Sequence, residues 1–440
     1  MSEPHSVLIV GAGVTGLVAA LRLVRQGLNV TLVEASGNVG GLAGHVMSEG
    51  KQPVEKYYHF ICREDLDLIR FIDDIGLTEK ISWRKAKTGI FIENKIYPFN
   101  TPQDLLAFSP IPVSSRLRFG FHIVTSQFQK NWKGLDKKSA KPWLINRTGL
   151  SAYMAVWDPL LRIKFGAFHE EISAAWVWHR IHRVSRSREN FFDASSSYGF
   201  LEQGSYNLIE CIQKRLSEYG NFCLRTNSGV SSILIDHDRV SGVRFEGGEI
   251  VNGRHVISTC AIPNFLKLVD FQGPYREKLA SIKYLNIVCA LFELSTSFSE
   301  NFWLNINDPR VSFNGIVETT NLNARPDLKG RHLVYIPYYL SQDNPRWSWD
   351  DAEFYNEYIS ALKVIKPDFN EDTILNFRIF RDVNAQAVCK INFSEIIPDM
   401  LTPIKGLYIT DSAQYYPEDR TLSASVRLGE RVSELLIQRL

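Results

Sequence analysis

Six residues near the N-terminus, Gly11-Ala12-Gly13-Val14-Thr15-Gly16, constrain the fold of this chain more than any other feature. They follow an apolar, β-branched run at 7–10 and open a stretch at 14–26 with helical periodicity, and an alternating run at 29–34 then ends on Glu34. The pattern predicts a β-α-β unit. In such a unit the first glycine permits a tight turn, the second lets the main chain approach a pyrophosphate, and the third lets helix and strand pack closely. Free N–H groups at the helix start, helped by the helix dipole, then face the phosphates. Glu34, 18 residues beyond Gly16, is placed to accept hydrogen bonds from a ribose, and an acid there disfavours a 2′-phosphate. Dinucleotide binding is the expectation. The plain alternative is a glycine turn without a ligand, and two strands, a helix and an acid in the right order argue against it.

The 440 residues suggest two to three domain-sized units. Blocks with α/β character recur downstream. A helix is predicted at 207–219, a strand at 223–226, a strand pair at 230–235 and 240–245, and another strand at 254–258. A buried strand at 407–410 and a helix at 423–438 close the chain. Between these blocks lie a helix-rich, aromatic stretch from about 61, with a polar segment at 131–141 that reads as a mobile loop or linker, and a second stretch from about 271. The latter has strand-like runs at 287–294 and 332–340 and a helix at 351–365. The expected fold class is therefore α/β. A discontinuous Rossmann-like nucleotide-binding domain comprises 1–60, 196–270 and 390–440, and an inserted α+β substrate-binding domain comprises 61–195 and 271–389.

Composition narrows the function classes. Fifty Lys and Arg against 48 Asp and Glu leave a net charge of +2, which gives no electrostatic case for nucleic acid. Cysteines at 62, 211, 223, 260, 289 and 389 form no CxxC pair and no short cluster with histidine, so no metal site is expected. They read as reduced, mostly buried thiols, and a cytoplasmic address fits best. The uncharged stretch at 6–21 mimics a signal-peptide core, but no basic residue precedes it and three glycines interrupt it. No stretch approaches the ~18 apolar residues of a spanning helix, so no integral membrane segment is expected.

The run Glu34-Ala35-Ser36-Gly37-Asn38-Val39-Gly40-Gly41-Leu42-Ala43-Gly44 resembles the extended signature of a large flavoprotein group. That group includes amine oxidases, protoporphyrinogen oxidase, phytoene desaturases and UDP-galactopyranose mutase. Near the other end, Gly406 to Asp411 (GLYITD) followed by Asp419 to Gly429 (DRTLSASVRLG) looks like the group's second flavin motif. The segment Ile257 to Pro263 (ISTCAIP), and the run at Val230, match in order. The resemblance implies non-covalently bound FAD. It assigns the cofactor to Gly11, Gly13, Val14, Thr15, Gly16, Glu34, Ala35, Gly40, Gly41, Leu42, Val230 (through main chain to adenine), Thr259, Asp411, Leu422 and Ser423. One departure matters: amine oxidases commonly carry an Arg after the Gly pair and a Lys on a substrate-domain strand, whereas here Leu42 follows Gly41, and Lys283 lies near the corresponding strand in a pattern closer to members that have no catalytic lysine. Primary-amine oxidation loses support accordingly.

A flavin carries its own redox chemistry, so the protein mainly supplies orientation, electrostatics and control of water. Tyr58 and His59 follow the Gly-pair loop at a distance where related chains return beside the flavin ring, and they are candidate catalytic groups; a packed aromatic cluster with a satisfied histidine is the equal alternative. Arg381, on the run 377–386, is a further candidate, against an internal salt bridge. On a helix predicted at 171–188, His179, Arg183 and Arg186 fall at i, i+4 and i+7, a stripe that would suit an anionic substrate or simply face solvent. Trp303, Tyr335, Tyr338 and Tyr339 either line a pocket or form plain core. The leading functional expectation is an FAD-dependent oxidoreductase that removes a hydride from an organic small molecule, one with an anionic group if the stripe is used. The alternatives are chemistry like that of UDP-galactopyranose mutase, with reduced FAD as a nucleophile toward a sugar nucleotide, and a flavin-binding protein whose FAD is structural. The sequence leaves the oligomeric state open.

Overall fold

The computed structural model describes residues 6–129, 131–186 and 197–440. The glycine-rich segment forms the expected unit: strand β1 (Ser6–Val10), helix α1 (Val14–Arg25) and strand β2 (Asn29–Val33), with β1 and β2 parallel and Val10 paired with Val33. Four of the five residues of β1 are buried, as expected for a strand covered on both faces. Three distant segments complete a five-stranded parallel sheet. His255–Ser258 pairs with the other edge of β1, Leu407–Ile409 lies beyond it, and Phe222–Arg225 flanks β2. The order is therefore that of a doubly wound fold assembled from three parts of the chain. Val230–Asp236, Arg239–Phe245 and Ile250–Asn252 form a small antiparallel sheet beside it.

The C-terminal helix Leu422–Ile437 packs on α1, and helix α2 (Leu66–Asp74) packs on the C-terminal helix, their apolar faces sharing one core with Val7, Ile9 and Leu17. The chain from 61 onward, which the sequence divides off with the substrate-binding unit, thus shares the core of the parallel sheet through α2.

A seven-stranded sheet dominates the rest. Its long strand Tyr284–Leu294, second from one edge, is buried at every residue, flanked by Ile374–Ala387 and His332–Ser341. The two faces of that strand meet different neighbours. Val288, Ala290 and Phe292 pack toward Phe354 and Tyr358 of the helix Asp351–Ile365, whereas Ile287, Cys289 and Leu291 pack toward Tyr57 and Tyr198. A helical layer, including Val113–Phe128, Ala140–Thr148, Asp158–Phe165 and Ala174–Ser185, surrounds the cleft between the sheets.

Two expectations change here. The polar segment at 131–141 is anchored: Lys133–Asp136 is a helical turn, and buried Asp136 accepts hydrogen bonds from the hydroxyls of Tyr416 and Ser394. A carboxylate satisfied by two distant hydroxyls fixes the segment in place, despite its polar composition. The helix predicted at 171–188 runs over Ala174–Ser185, and positions 187 and 188 lie outside the described residues.

Candidate active site

A single cavity of about 690 Å³ extends from the glycine turn after β1 to a chamber under the seven-stranded sheet. Ligand sites typically span about 300–1,000 Å³, so it accommodates a large ligand. At its first end the chain is built for close approach by a ligand. Gly11 adopts φ +103°, and a Cβ there would lie 2.7 Å from Thr259 Oγ1. Thr259 in turn donates to the Gly11 carbonyl at 2.9 Å, holding the turn against the neighbouring strand. A Cβ on Gly16 would lie 2.0 Å from the Gly11 carbonyl oxygen, so this glycine lets α1 cross the turn and does not line the cavity.

Gly13 differs from both, because a Cβ built on it meets no atom within 4 Å and would project into the space itself. It is the N-cap of α1, and no side chain caps that helix. The first N–H groups of α1, at Val14 and Thr15, therefore face the cavity available to an anion. The Gly40-Gly41 pair bridges to this turn: the Gly40 N–H donates to the Ala12 carbonyl at 2.7 Å, and Gly41 passes close to Gly13. Glu34 lines the same wall, its carboxylate accepting from the Ala12 N–H at 2.9 Å and from Ser36. An uncapped helix start, glycines without side chains and an acid beside them fit the pyrophosphate and ribose of a dinucleotide. Buried Thr410 Oγ1, on the cavity wall, has no partner among the described residues, as fits a hydroxyl reserved for a ligand.

At the other end the walls are aromatic and charged. Tyr57, Tyr58, Phe60, Trp303 and Tyr339 line it, with Tyr58 edge-on to Trp303 at 5.4 Å between centroids. Tyr57 donates to Asp382 at 2.8 Å. Burial, reinforced by Tyr339 and Cys289, pushes the Tyr58 phenol well up, and it stays protonated. Three cations converge on Asp419. Lys164, only 6 % exposed, places Nζ 3.6 Å from its carboxylate and over the rings of Tyr339 and Trp176; Arg180 donates to it at 3.0 Å; and Arg420, adjacent in sequence, donates to the Ala385 carbonyl at 2.8 Å. Burial opposes ionisation of Asp419, yet Lys164, Arg180 and Arg420 outweigh it and hold its carboxyl down at about 2. One carboxylate among three cations leaves a local positive excess.

The sequence-predicted residues divide accordingly. Gly11, Gly13, Val14, Thr15, Glu34, Gly40, Gly41, Leu42, Thr259, Asp411 and Leu422 line the cavity; Gly16, Ala35, Val230 and Ser423 do not. Ser423 is buried and accepts from the Leu68 N–H of α2, so it joins two helices. Val230 is the edge of the small sheet, paired with Phe245. Asp411 does not cap the C-terminal helix, which Thr421 caps through the Ala424 N–H. Its carboxylate accepts from the N–H groups of Ala413 and Ile262 and from the Tyr284 hydroxyl.

Tyr58 and His59 line the chamber, with His59 Nδ1 3.0 Å from Glu55. Arg381 does not. It stands opposite Val288 in the sheet, on the face covered by Asp351–Ile365, where it pairs with Asp351 at 2.6 Å; Asp382, one residue on and opposite Ile287, faces the chamber instead. Strand alternation excludes Arg381 from the site. The basic stripe also breaks up. Arg183 lines the cavity but forms a two-pronged pair with buried Asp65, at 2.8 and 3.2 Å. Arg186 lies outside the cavity, 3.3 Å from Glu64. Burial and the nearby Arg183 lower His179 to about 3, so it is neutral. The stripe is neither a solvated face nor an open anion site.

Of the four aromatics, Trp303 and Tyr339 line the cavity, and Tyr335 and Tyr338 are core. Lys164, Arg180, Asp419 and Arg420 were not legible as a group, because they come from three separate segments; the only cue was Asp419-Arg420 inside the second flavin-like motif.

Comparison with known proteins gives the same picture. The family model described as flavin containing amine oxidoreductase matches residues 14–410. Protoporphyrinogen oxidase 2, chloroplastic/mitochondrial, of Arabidopsis thaliana is 33 % identical over 138 residues, 31 % of this chain; the match spans only 25 % of that relative's length. 4,4′-Diaponeurosporene oxygenase of Staphylococcus aureus (strain USA300) is 21 % identical over 436 aligned positions, covering 81 % of this chain and 80 % of that protein. Among solved structures, reduced UDP-galactopyranose mutase superposes with a TM-score of 0.76 at 17 % identity, covering 99 % of this chain and 96 % of the other. At that identity the likeness speaks for the fold.

Proposed function

We propose that this chain, which belongs to the flavin containing amine oxidoreductase family and is an FAD-dependent oxidoreductase, oxidises an organic small molecule by taking a hydride from a C–H bond. Bound FAD supplies the electron acceptor for such a step. The glycine cradle, the open N-terminus of α1 and Glu34 would hold its dinucleotide end, with Thr259 fixing the turn beneath. The aromatic chamber would receive the substrate.

The observation that carries the hydride reading is the continuity of one cavity from the glycine cradle into the aromatic chamber, which would set a C–H bond of the substrate against the flavin. Around it, Tyr58 is held protonated by burial, Tyr57 already donates to Asp382, and burial keeps His179 a weak base. His59, with Nδ1 3.0 Å from Glu55, would be the chamber group to take up a proton released by the substrate. The roles that remain for the chain are to stack and orient the substrate on Tyr58, Trp303 and Tyr339 and to exclude water.

Lys164 and Arg180 support an anionic group on the substrate. They are the two cations around Asp419 contributed by the helical layer, and an incoming carboxylate or phosphate would meet their excess charge inside a cavity wall. The same pair gives the sugar-nucleotide reading its support, since a diphosphate has the same requirement.

Anaerobic mixing of the holoprotein with a panel of anionic cyclic alkenes, amines and sugar nucleotides separates the readings. Loss of the flavin absorbance on adding a substrate, with no other reductant, is the expected result. Turnover of a sugar nucleotide only after reduction by dithionite would replace hydride removal with the mutase-like reaction.

A further inference from the structure

The helix Val113–Phe128 carries an apolar stripe that nothing among the described residues covers. Val113, Leu117, Phe121, Val124 and Phe128 are all exposed, with Leu117 at 59 %, Phe121 at 69 % and Phe128 at 72 %. At the α-helical 3.6 residues per turn these five positions fall within an arc of about 80°. The buried side chains Ser115, Phe119, His122 and Ser126 project from the opposite side. Leu106, Leu150 and Met154, from adjoining segments of the same stretch, are also exposed. Single exposed apolar residues are ordinary, but a contiguous stripe along four turns of helix marks an interaction surface.

The charge around the stripe indicates what covers it. Between positions 105 and 157 the sequence holds eight Lys and Arg and one acid, Asp136, which is buried. Arg116 and Arg118 lie on either flank of the stripe, roughly 60° beyond its edges. Their guanidinium groups donate to main-chain carbonyls, those of Leu106 and Ile111 for Arg116 and that of Asn146 for Arg118, which leaves the positive charge unneutralised by these contacts. Lys133, Lys137, Lys138 and Arg147 are exposed in the following segments. A helix with an apolar face flanked by basic residues suits the interface of a bilayer, apolar side down and cations at the headgroups. A second copy of the chain suits it poorly, because two such faces brought together would set like charges against each other.

We infer that the face of Val113–Phe128 docks on an anionic lipid bilayer, with the helix lying in the membrane plane. No helix among the described residues is long and apolar enough to cross a membrane, so the attachment is peripheral. Docking has a consequence for the cavity. Phe119 and Ile123, on the inner side of the same helix, line its wall. The space would then lie about one helix diameter, 10–12 Å, from the lipid, within easy reach of an amphipathic substrate whose apolar body is carried there.

Co-sedimentation of the holoprotein with vesicles tests this, using phosphatidylcholine alone and an equal mixture of phosphatidylcholine and phosphatidylglycerol. The wild type should pellet with the anionic vesicles and less with the neutral ones. Leu117→Glu/Phe121→Glu should lower the partition by at least about tenfold, while its flavin spectrum and thermal midpoint match the wild type, since neither side chain touches the cavity. A wild type that stays in solution with the anionic vesicles overturns the inference. So does a double variant that pellets as the wild type does, or a wild-type dimer in light scattering that Phe121→Glu converts to a monomer without any lipid binding.

Discussion

Asp411 joins three parts of the chain: Ile262 at the start of a helix, Tyr284 on the long strand Tyr284–Leu294, and Ala413 in the turn after the last parallel strand. Burial raises its pKa, and these donors, Tyr284 first, counter that pressure. Asp411→Ala would leave three buried donors unmet, at a cost of about 3 kcal/mol or more, so the thermal midpoint of the holoprotein should fall clearly. An unchanged midpoint, with only FAD affinity reduced, would show that the carboxylate serves the cofactor rather than the framework. Arg183→Ala is expected to act similarly, because it strands the buried Asp65 carboxylate and costs about 3–5 kcal/mol; denaturant unfolding measures it. At this scale the sequence was informative where function depends on neighbours along the chain. The glycine turn and Glu34 were readable because a tight turn and a helix start are local events. For Arg381 the choice between a site role and an internal salt bridge depends on which sheet face it occupies; only pairing with Val288 decides that, and it decides for the salt bridge with Asp351.

Elements brought together by the fold set the chamber's charge. The helix Asp158–Phe165 supplies Lys164, the helix Ala174–Ser185 supplies Arg180, and the segment before the C-terminal helix supplies Asp419 and Arg420. Lys164→Met should raise KM for an anionic substrate by about ten- to a hundredfold, matching the ~1.5–3 kcal/mol of a bond to a charged group. If that contact is kept equally in ground and transition states, kcat stays nearly unchanged. Equal steady-state kinetics for the two proteins would remove the anion contact. Asp419 also predicts a pH dependence with a definite sign. Its folded-state pKa lies below its ordinary value of 3.8, at about 2, so the stabilisation is present above pH 3.8 and is lost as the pH falls toward 2. The difference is worth about 2 kcal/mol, and Asp419→Asn should flatten that part of the stability curve of the holoprotein, read by thermal unfolding. Helix and strand positions were legible from periodicity, but this meeting of elements was not. Periodicity shows which side of a helix is apolar without showing which other element it will face, and so Lys164 reads in the sequence as an ordinary helix cation.

For the whole molecule, the alternation of α/β blocks with stretches of other character already carried the discontinuous architecture, because each strand of the parallel sheet announces itself as a short apolar run. What the run pattern did not carry was α2 joining the core of that sheet, since its contacts with α1 and the C-terminal helix link positions far apart in the chain. The continuity of the cavity from the glycine turn to the aromatic chamber is the feature on which the functional account rests. Heat or acid denaturation should release FAD into solution if the cofactor is bound without a covalent link. The most direct test of the central claim is titration of the apoprotein with FAD, followed by the change in flavin fluorescence, for the wild type and for Gly13→Asp. The wild type should bind one FAD per chain. Gly13→Asp should fold and bind none, because its carboxylate would project into the space where no atom lies within 4 Å of a Cβ and would repel the pyrophosphate. A wild type that takes up no FAD, or a Gly13→Asp protein that binds it as tightly as the wild type, would contradict the account.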